Sequence, residues 1–141
     1  MRLFLDTSVL LAASGSATGA SREILRRATA NNWVLIVTPC IIEEVVRNLP
    51  NLPPVATAEW ARLRPGLLLM DDVLTLDRPV VFGPAKDRPI LFSAMAWADV
   101  LLTLDRSDFG HLMDTTFYGL LVLKPGVFLE RERAAGRLKA R

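Results

Sequence analysis

The stretch ADVLLTLD, residues 98–105, decides the fold class, because its apolar side chains follow one another instead of alternating with polar ones. A strand of this composition is buried on both faces, which is typical of a parallel sheet covered by helices. The preceding segment RPILFSAMAWA, residues 88–98, carries Ile90, Leu91 and Ala94 at helical spacing behind Pro89. We therefore expect a helix that leads into a central parallel strand ending at Asp105.

Strands and helices alternate in the same way along the rest of the chain. We predict strands at residues 2–6, 33–38 and 119–126, and residues 73–82 are ambiguous but compatible with another. Further helices are predicted over residues 8–14, from a Ser21 cap to 32, from Pro39 to 49, over 56–63, and from near Val127 onward. This pattern predicts an α/β fold, a single-domain three-layer α/β/α sandwich around a parallel sheet of four to five strands.

Length and composition agree with one folded domain. The chain has 141 residues, 51% of them hydrophobic and 23% charged, which argues against disorder. The single cysteine, Cys40, excludes an internal disulfide, and no apolar stretch approaches the roughly 18 residues of a membrane span. We expect a cytoplasmic protein without a membrane partner, with a main domain over residues 1–129 and a basic tail over 130–141 that holds five basic and two acidic side chains.

Four carboxylates are placed where a site would form in such a sheet. The functional crevice of an open parallel sheet lies at the carboxyl ends of its strands, where Asp6 and Asp105 stand. Glu44, inside a predicted helix, and Asp87, just ahead of another, can approach the same crevice from its sides. Clustered carboxylates repel one another, and a divalent cation offsets this repulsion. Oxygen ligands without histidine or cysteine indicate Mg²⁺ or Mn²⁺.

Ordinary structural roles compete with this interpretation. Asp6 stands before Thr-Ser, so it can equally cap a helix, and Asp87 can complement a helix dipole. Asp99 lies at the opposite end of its strand, which predicts a structural role.

The neighbours of Glu43 and Glu44 in the third predicted helix indicate different roles for these two adjacent residues. Glu43 lies one turn before Arg47 in the favourable order for an ion pair, which gives it a structural explanation. Glu44 shares its flank with Asn48 and is the better ligand candidate.

Three segments taken together resemble the PIN domain family of metal-dependent ribonucleases. They are LDTSVL (5–10), TPCIIEEVVRNL (38–49) and KDRPILFSAMAWADVLLTLDRSDF (86–109), and the closing GLLVLKPGVFLE (119–130) is similar to that family's last strand and helix. The resemblance implies a sheet ordered 3-2-1-4-5, in which the strands that end at Asp6 and Asp105 are neighbours. The stretch PVVFGPAKD before Asp87 departs from the family pattern, which has a helix there.

The resemblance also implies a set of functional residues. It assigns catalysis and metal binding to Asp6, Glu44, Asp87 and Asp105, with Asp108 as an additional metal ligand that some members carry. It gives supporting roles to Thr7, Ser8 and Thr103.

The function implied is hydrolysis of RNA phosphodiester bonds by an Mg²⁺- or Mn²⁺-dependent endoribonuclease, leaving 5′-phosphate and 3′-hydroxyl ends. Small proteins of this kind resemble VapC-type toxins, which implies an antitoxin partner and a homodimer. Two alternatives stay open: a catalytically inactive RNA- or protein-binding module of the same fold, and a phosphohydrolase of the haloacid dehalogenase type. The latter class has D-x-D after its first strand, whereas Ser8 stands at the second acidic position here.

Overall fold

The computed structural model describes residues 1–75 and 88–140 and shows an α/β fold with one mostly parallel sheet. The predicted α/β class is confirmed, although the sheet has six strands where four to five were expected. The strands in chain order are β1 (Arg2–Leu5), β2 (Val34–Val37), β3 (Leu68–Leu69), β4 (Val100–Leu102), β5 (Thr115–Phe117) and β6 (Leu120–Leu123).

Seven α-helices accompany these strands within the described residues. They are α1 (Thr7–Gly15), α2 (Ala20–Arg27), α3 (Pro39–Asn48), α4 (Val55–Leu63), α5 (Arg88–Trp97), α6 (Arg106–Phe109) and α7 (Pro125–Ala134). The arrangement is broadly compatible with three layers, in which α1 packs on α2 and α4, and α3 packs on α5.

The sheet places β1 at its centre, between β2 and β4. Its strands are ordered β3-β2-β1-β4-β6-β5, and all pairs are parallel except β5 with β6. Phe4 is aligned with Ile36 on one side and with Leu101 on the other, and all three side chains are fully buried. The neighbouring positions expected for the first strand and for the strand that leads to Asp105 are therefore confirmed.

Both edges of the sheet differ from the sequence prediction. The strand Leu68–Leu69 was not predicted. Of residues 73–82, which were compatible with a strand, residues 73–75 are not in a strand and residues 76–82 lie outside the described residues. On the other edge β5 was not predicted. It forms a hairpin with β6 through Tyr118 and Gly119, whose φ angles of 49° and 87° suit a tight turn between antiparallel strands.

Three helix boundaries also need correction. Helix α2 begins at Ala20 with Gly19 at its N-cap, so Ser21 is a buried residue of the first turn and not the cap. Helix α7 begins at Pro125, two residues before the predicted start, because proline is well suited to a first helical position. Helix α2 also ends at Arg27, five residues before its predicted end at residue 32. A short helix that was not predicted, α6, follows Asp105.

The basic C-terminal residues return to the body of the protein. Arg137 makes two hydrogen bonds of 2.9 and 3.0 Å with the buried carboxylate of Glu132, and the N–H of Lys139 donates to Asn31 Oδ1 at 2.7 Å. The division of the chain at residue 129 stays a prediction. Across residues 1–75 and 88–140, no helix has the length and apolar character that crossing a membrane requires.

Asp99 has the structural role that its position predicted. Its Oδ2 accepts a hydrogen bond of 2.8 Å from the N–H of Arg2, at the amino ends of β1 and β4. We expect Asp99→Ala to lower the free energy of unfolding by about 0.5–1.5 kcal/mol, the usual contribution of one hydrogen bond. Denaturant unfolding measures this change, and divalent-cation binding should be equal in the two proteins. Weakened cation binding in a variant of normal stability would contradict the structural role.

Candidate functional site

The carboxyl ends of β1 and β4 bring Asp6 and Thr103 together. The N–H of Asp6 donates to the carbonyl oxygen of Leu102 at 3.1 Å, which continues the pairing of the two strands to their ends. Thr103 Oγ1 then donates to Asp6 Oδ2 at 2.7 Å. The ends of β1 and β4 thus bring the side chains of Asp6 and Thr103 into direct contact.

Asp6 is a buried carboxylate that three donors surround. The residue is only 5% exposed to solvent. Oδ2 accepts from Ser8 Oγ at 3.0 Å as well as from Thr103, and Oδ1 accepts from the N–H of Thr7 at 2.8 Å. A charge taken out of water needs such partners, because burial without them costs several kcal/mol or forces the group to become neutral.

The pKa of Asp6 is raised above its ordinary value in spite of these bonds. Burial is the largest cause, and the negative charge of Glu44 adds to it, whereas the hydrogen bonds from Thr103, Ser8 and Thr7 act in the opposite direction. The folded protein therefore holds a carboxylate whose charge is only partly compensated by its own polar groups.

Glu44 reaches this centre from α3. Its Oε2 accepts a hydrogen bond of 2.7 Å from Thr7 Oγ1, so that Thr7 lies between the carboxylates of Asp6 and Glu44. Glu43 points elsewhere and pairs with Arg47 at 3.0 Å in an exposed position. The ion pair predicted between Glu43 and Arg47 is confirmed.

Asp105 is joined to Asp6 through the hydroxyl of Thr103. The N–H of Asp105 donates to Thr103 Oγ1 at 3.0 Å, and its Oδ1 accepts from the N–H of Asp108 at 3.1 Å. The second bond makes Asp105 the N-cap of α6 and places Asp108 in the first turn of that helix. Asp105 is therefore beside the centre and also has the capping role that an aspartate at this position often has.

Ser8 makes a second connection between the ends of β1 and β4. Its hydroxyl donates to Asp6 Oδ2 and accepts from the N–H of Leu104 at 3.0 Å. The hydroxyls of Thr7, Ser8 and Thr103 thus each bond to a group of the site, as supporting residues would.

The donor set fits a hard divalent cation. A carboxylate has about four lone-pair positions, and Asp6 uses three of them, so one remains. Mg²⁺ binds proteins through one or two carboxylates and keeps several waters, and Asp6 with Glu44 meets that requirement. Nowhere in residues 1–75 and 88–140 do three or more His, Cys, Asp or Glu side chains form a group that could hold a metal ion. Asp87, the remaining predicted ligand, lies outside the described residues.

Two residues beside this centre were not identified from the sequence. Asp72 accepts from the N–H of Cys40 at 3.1 and 3.3 Å, and so caps α3 from a distant part of the chain. Thr38 stands at the N-cap of α3, fully buried, with an Oγ1 that has no partner in the described part of the chain. The pair Thr38-Pro39 was the available signal. The pKa of the Cys40 thiol is raised by burial and by the charges of Glu44 and Asp72.

A cavity of about 820 Å³ lies away from the carboxylates, between α2 and α4. Its wall includes the buried Arg22, which donates from Nε to the carbonyl oxygen of Ala13 at 2.8 Å and pairs with Glu59 at 2.7 Å. These bonds give the arginine a complete structural explanation, so we place the candidate site at the carboxyl edge of the sheet.

A scan against protein-family models finds no match for this chain, and a search of curated proteins finds none. The fold and the site define an α/β protein with a buried carboxylate at the carboxyl edge of its sheet. Membership of the PIN domain family stays a prediction that rests on the motifs.

Proposed function

We propose that the protein is a metal-dependent endoribonuclease that hydrolyses RNA phosphodiester bonds. One observation carries the proposal: Asp6 is buried at the end of the central strand, near the charge of Glu44, with a pKa raised by both burial and that charge. Proteins retain such an arrangement at a cost in stability, and uncompensated charge of this kind is concentrated at functional sites. A bound divalent cation removes the cost.

Asp6 and Glu44 would hold an Mg²⁺ or Mn²⁺ ion, and the resemblance adds Asp105 and Asp87, with Asp108 as a further ligand. A bound ion supplies an activated water and stabilises charge on the phosphate. The hydroxyl of Thr103 orients the carboxylate of Asp6 and fixes the backbone of Asp105, while Thr7 orients Glu44. These hydroxyls hold the ligands in place, as the outer partners of metal sites do.

The remaining assignments follow from the resemblance. We propose RNA as the substrate, 5′-phosphate and 3′-hydroxyl product ends, and a toxin that acts in the cytoplasm as a homodimer controlled by an antitoxin protein. Growth arrest on expression of the wild type, and none with the Asp6→Asn variant, is the result expected of a toxin.

A second candidate function is supported by two specific contacts. Asp105 caps α6 and Asp6 bonds to the first N–H of α1, so both carboxylates have structural roles without any metal. This favours a catalytically inactive RNA- or protein-binding module of the same fold. Such a module would retain RNA without cleaving it.

The adjacent glutamates of α3 provide a matched test. In Mn²⁺ buffer we expect the wild type to cleave RNA, EDTA to stop cleavage, and added Mn²⁺ to restore it. Glu44→Gln should slow cleavage at least about tenfold, because a lost ligand weakens the metal site, whereas Glu43→Gln should leave the rate unchanged. Fluorescent RNA oligonucleotides measure these rates. Cleavage that persists in EDTA, or equal loss in both variants, would refute the proposal.

A further inference from the structure

The N-terminus of α3 has two candidate acceptors, Thr38 and Asp72, for its first backbone N–H. Thr38 has the extended backbone of an N-cap residue, with φ −127° and ψ 166°, and threonine is a preferred residue at that position. Pro39 follows and has no N–H, so the first available donor is the N–H of Cys40. That N–H bonds to Asp72, and Thr38 Oγ1 is left without a partner within residues 1–75 and 88–140.

An unpaired hydroxyl at a fully buried position is unusual and calls for an explanation. Leaving a buried polar group without a hydrogen bond costs about 1–3 kcal/mol, and native proteins contain few of them. Thr38 follows β2 at the carboxyl edge of the sheet, level with Asp6 of β1, since Phe4 is aligned with Ile36. The unpaired group therefore lies beside the candidate site.

Asp72 and Glu44 both lie close to Cys40 of α3. Cys40 and Glu44 are four residues apart in the helix, so their side chains lie on the same face about one turn apart. Asp72 contacts the backbone N–H of Cys40, and the negative charges of Glu44 and Asp72 both raise the pKa of the Cys40 thiol, so both carboxylates lie near this residue.

The backbone around Asp72 is held by hydrogen bonds that do not involve the Asp72 carboxylate. The N–H of Met70 donates to the carbonyl oxygen of Val37 at 2.9 Å, and the N–H of Val73 donates to Ser93 Oγ at 2.8 Å. Trp97 Nε1 donates to the carbonyl oxygen of Asp71 at 2.9 Å. The carboxylate of Asp72 can change its partner while the backbone on either side stays in place.

We propose that Asp72 is an additional ligand for a divalent cation bound at Glu44, and that Thr38 is the replacement cap of α3. In the structure Asp72 caps the helix. When a cation binds, the carboxylate of Asp72 moves to it, and Thr38 Oγ1 accepts the hydrogen bond from the N–H of Cys40. The cation part of this inference rests on the proposed function, whereas the exchange of caps does not.

The exchange of caps is tested in EDTA by melting temperature. Thr38→Val should melt at or above the wild-type temperature, because it removes an unpaired hydroxyl, and Asp72→Ala should lose little, because Thr38 takes over the cap. The double variant has neither cap and should lose clearly more than the sum of the two single changes. A double variant that does not fold while both singles do is the extreme of the same result. Additive changes would overturn the exchange.

The ligand role is tested by titrating Mn²⁺ into the variants and measuring the heat of binding. Asp72→Asn keeps an oxygen that can cap α3 but loses the charge, so we expect about tenfold weaker Mn²⁺ binding with an unchanged melting temperature in EDTA. Asp71→Asn, the same change one residue away, should bind Mn²⁺ as the wild type does. Equal affinities of Asp72→Asn and wild type would overturn the ligand role.

Thr38 should affect the same titration without touching the cation. Thr38→Val leaves no cap once Asp72 has moved, so Mn²⁺ should bind about fivefold more weakly, the equivalent of one lost cap. Thr38→Ser keeps the hydroxyl and should restore wild-type affinity. Unchanged affinity in Thr38→Val would overturn the coupling. A wild type that binds no Mn²⁺ would refute the proposed function and the ligand role together, while the melting temperatures in EDTA still decide the exchange of caps.

Discussion

The Asp6→Asn protein should melt at a higher temperature than the wild type in metal-free buffer, and it should cleave RNA at least about a hundredfold more slowly in Mn²⁺. The two effects have opposite signs because the same charge destabilises the empty site and binds the cation. Asparagine has the shape of aspartate, and its oxygen can still accept from the N–H of Thr7. The hydroxyls of Ser8 and Thr103 can rotate to accept from its amide.

The stability effect of Asp6→Asn should depend on pH in a defined direction. Burial raises the pKa of Asp6 in the folded protein above the value of the unfolded chain. The folded state therefore keeps a proton that the unfolded state has lost, and the free energy of unfolding falls as pH rises from the unfolded pKa through the folded pKa. The advantage of the variant is full above that window and disappears below it.

Thermal unfolding in EDTA at several pH values, together with RNA cleavage in Mn²⁺, tests both effects. A variant that loses activity because it is unfolded would be recognised by a large fall in melting temperature, and this result would count against the account. Cleavage at the wild-type rate would remove Asp6 from the mechanism.

Thr103→Val should cause the largest loss of stability among the single substitutions considered. Thr103 is fully buried, donates at 2.7 Å to the carboxylate of Asp6, and accepts at 3.0 Å from the N–H of Asp105. Valine has nearly the same shape but can neither donate nor accept a hydrogen bond. The buried carboxylate of Asp6 therefore loses a donor, and the N–H of Asp105 loses its acceptor. We expect the free energy of unfolding to fall by about 1.5–3 kcal/mol, the range for hydrogen bonds to charged groups.

The same variant should lose about ten- to a hundredfold in cleavage rate, as changes to the outer partners of metal ligands do. Thr103→Ser keeps the hydroxyl and should stay close to the wild type in both measurements. In the Asp6→Asn background, Thr103→Val should lower the free energy of unfolding by less, because the charge that needs the Thr103 donor is no longer present. Equal costs in the two backgrounds would show that Thr103 does not act through Asp6.

The centre of the fold was predictable because its strands are continuous apolar runs. Leu3, Phe4 and Leu5 are fully buried, and so are Leu101 and Leu102, which is what such runs require. Because β1 and β4 are neighbouring strands, Asp6 then lies beside the carboxyl end of β4. The edges were not predictable in this way, since Leu68 and Leu69 form a strand too short for any periodicity and remain 44% and 46% exposed.

Part of the site was also predictable, because it depends on strand order and on residues of a single helix. Glu44 could be distinguished from Glu43 because both residues lie on a single helix, where the spacing to Arg47 predicts the partner of Glu43. The contact of Asp72 with α3 joins residues 32 positions apart, and nothing in the local sequence of either segment specifies it. The capping role of Asp105 was hidden because the short helix α6 resembles a turn in sequence.

The most direct test of the central claim is Mn²⁺ binding to the wild type, Asp6→Asn and Glu44→Gln, measured by titration calorimetry near neutral pH. We expect the wild type to bind Mn²⁺ and each substitution alone to weaken binding at least about tenfold while the protein stays folded. Binding of equal strength in all three proteins, or none in the wild type, would contradict the central claim.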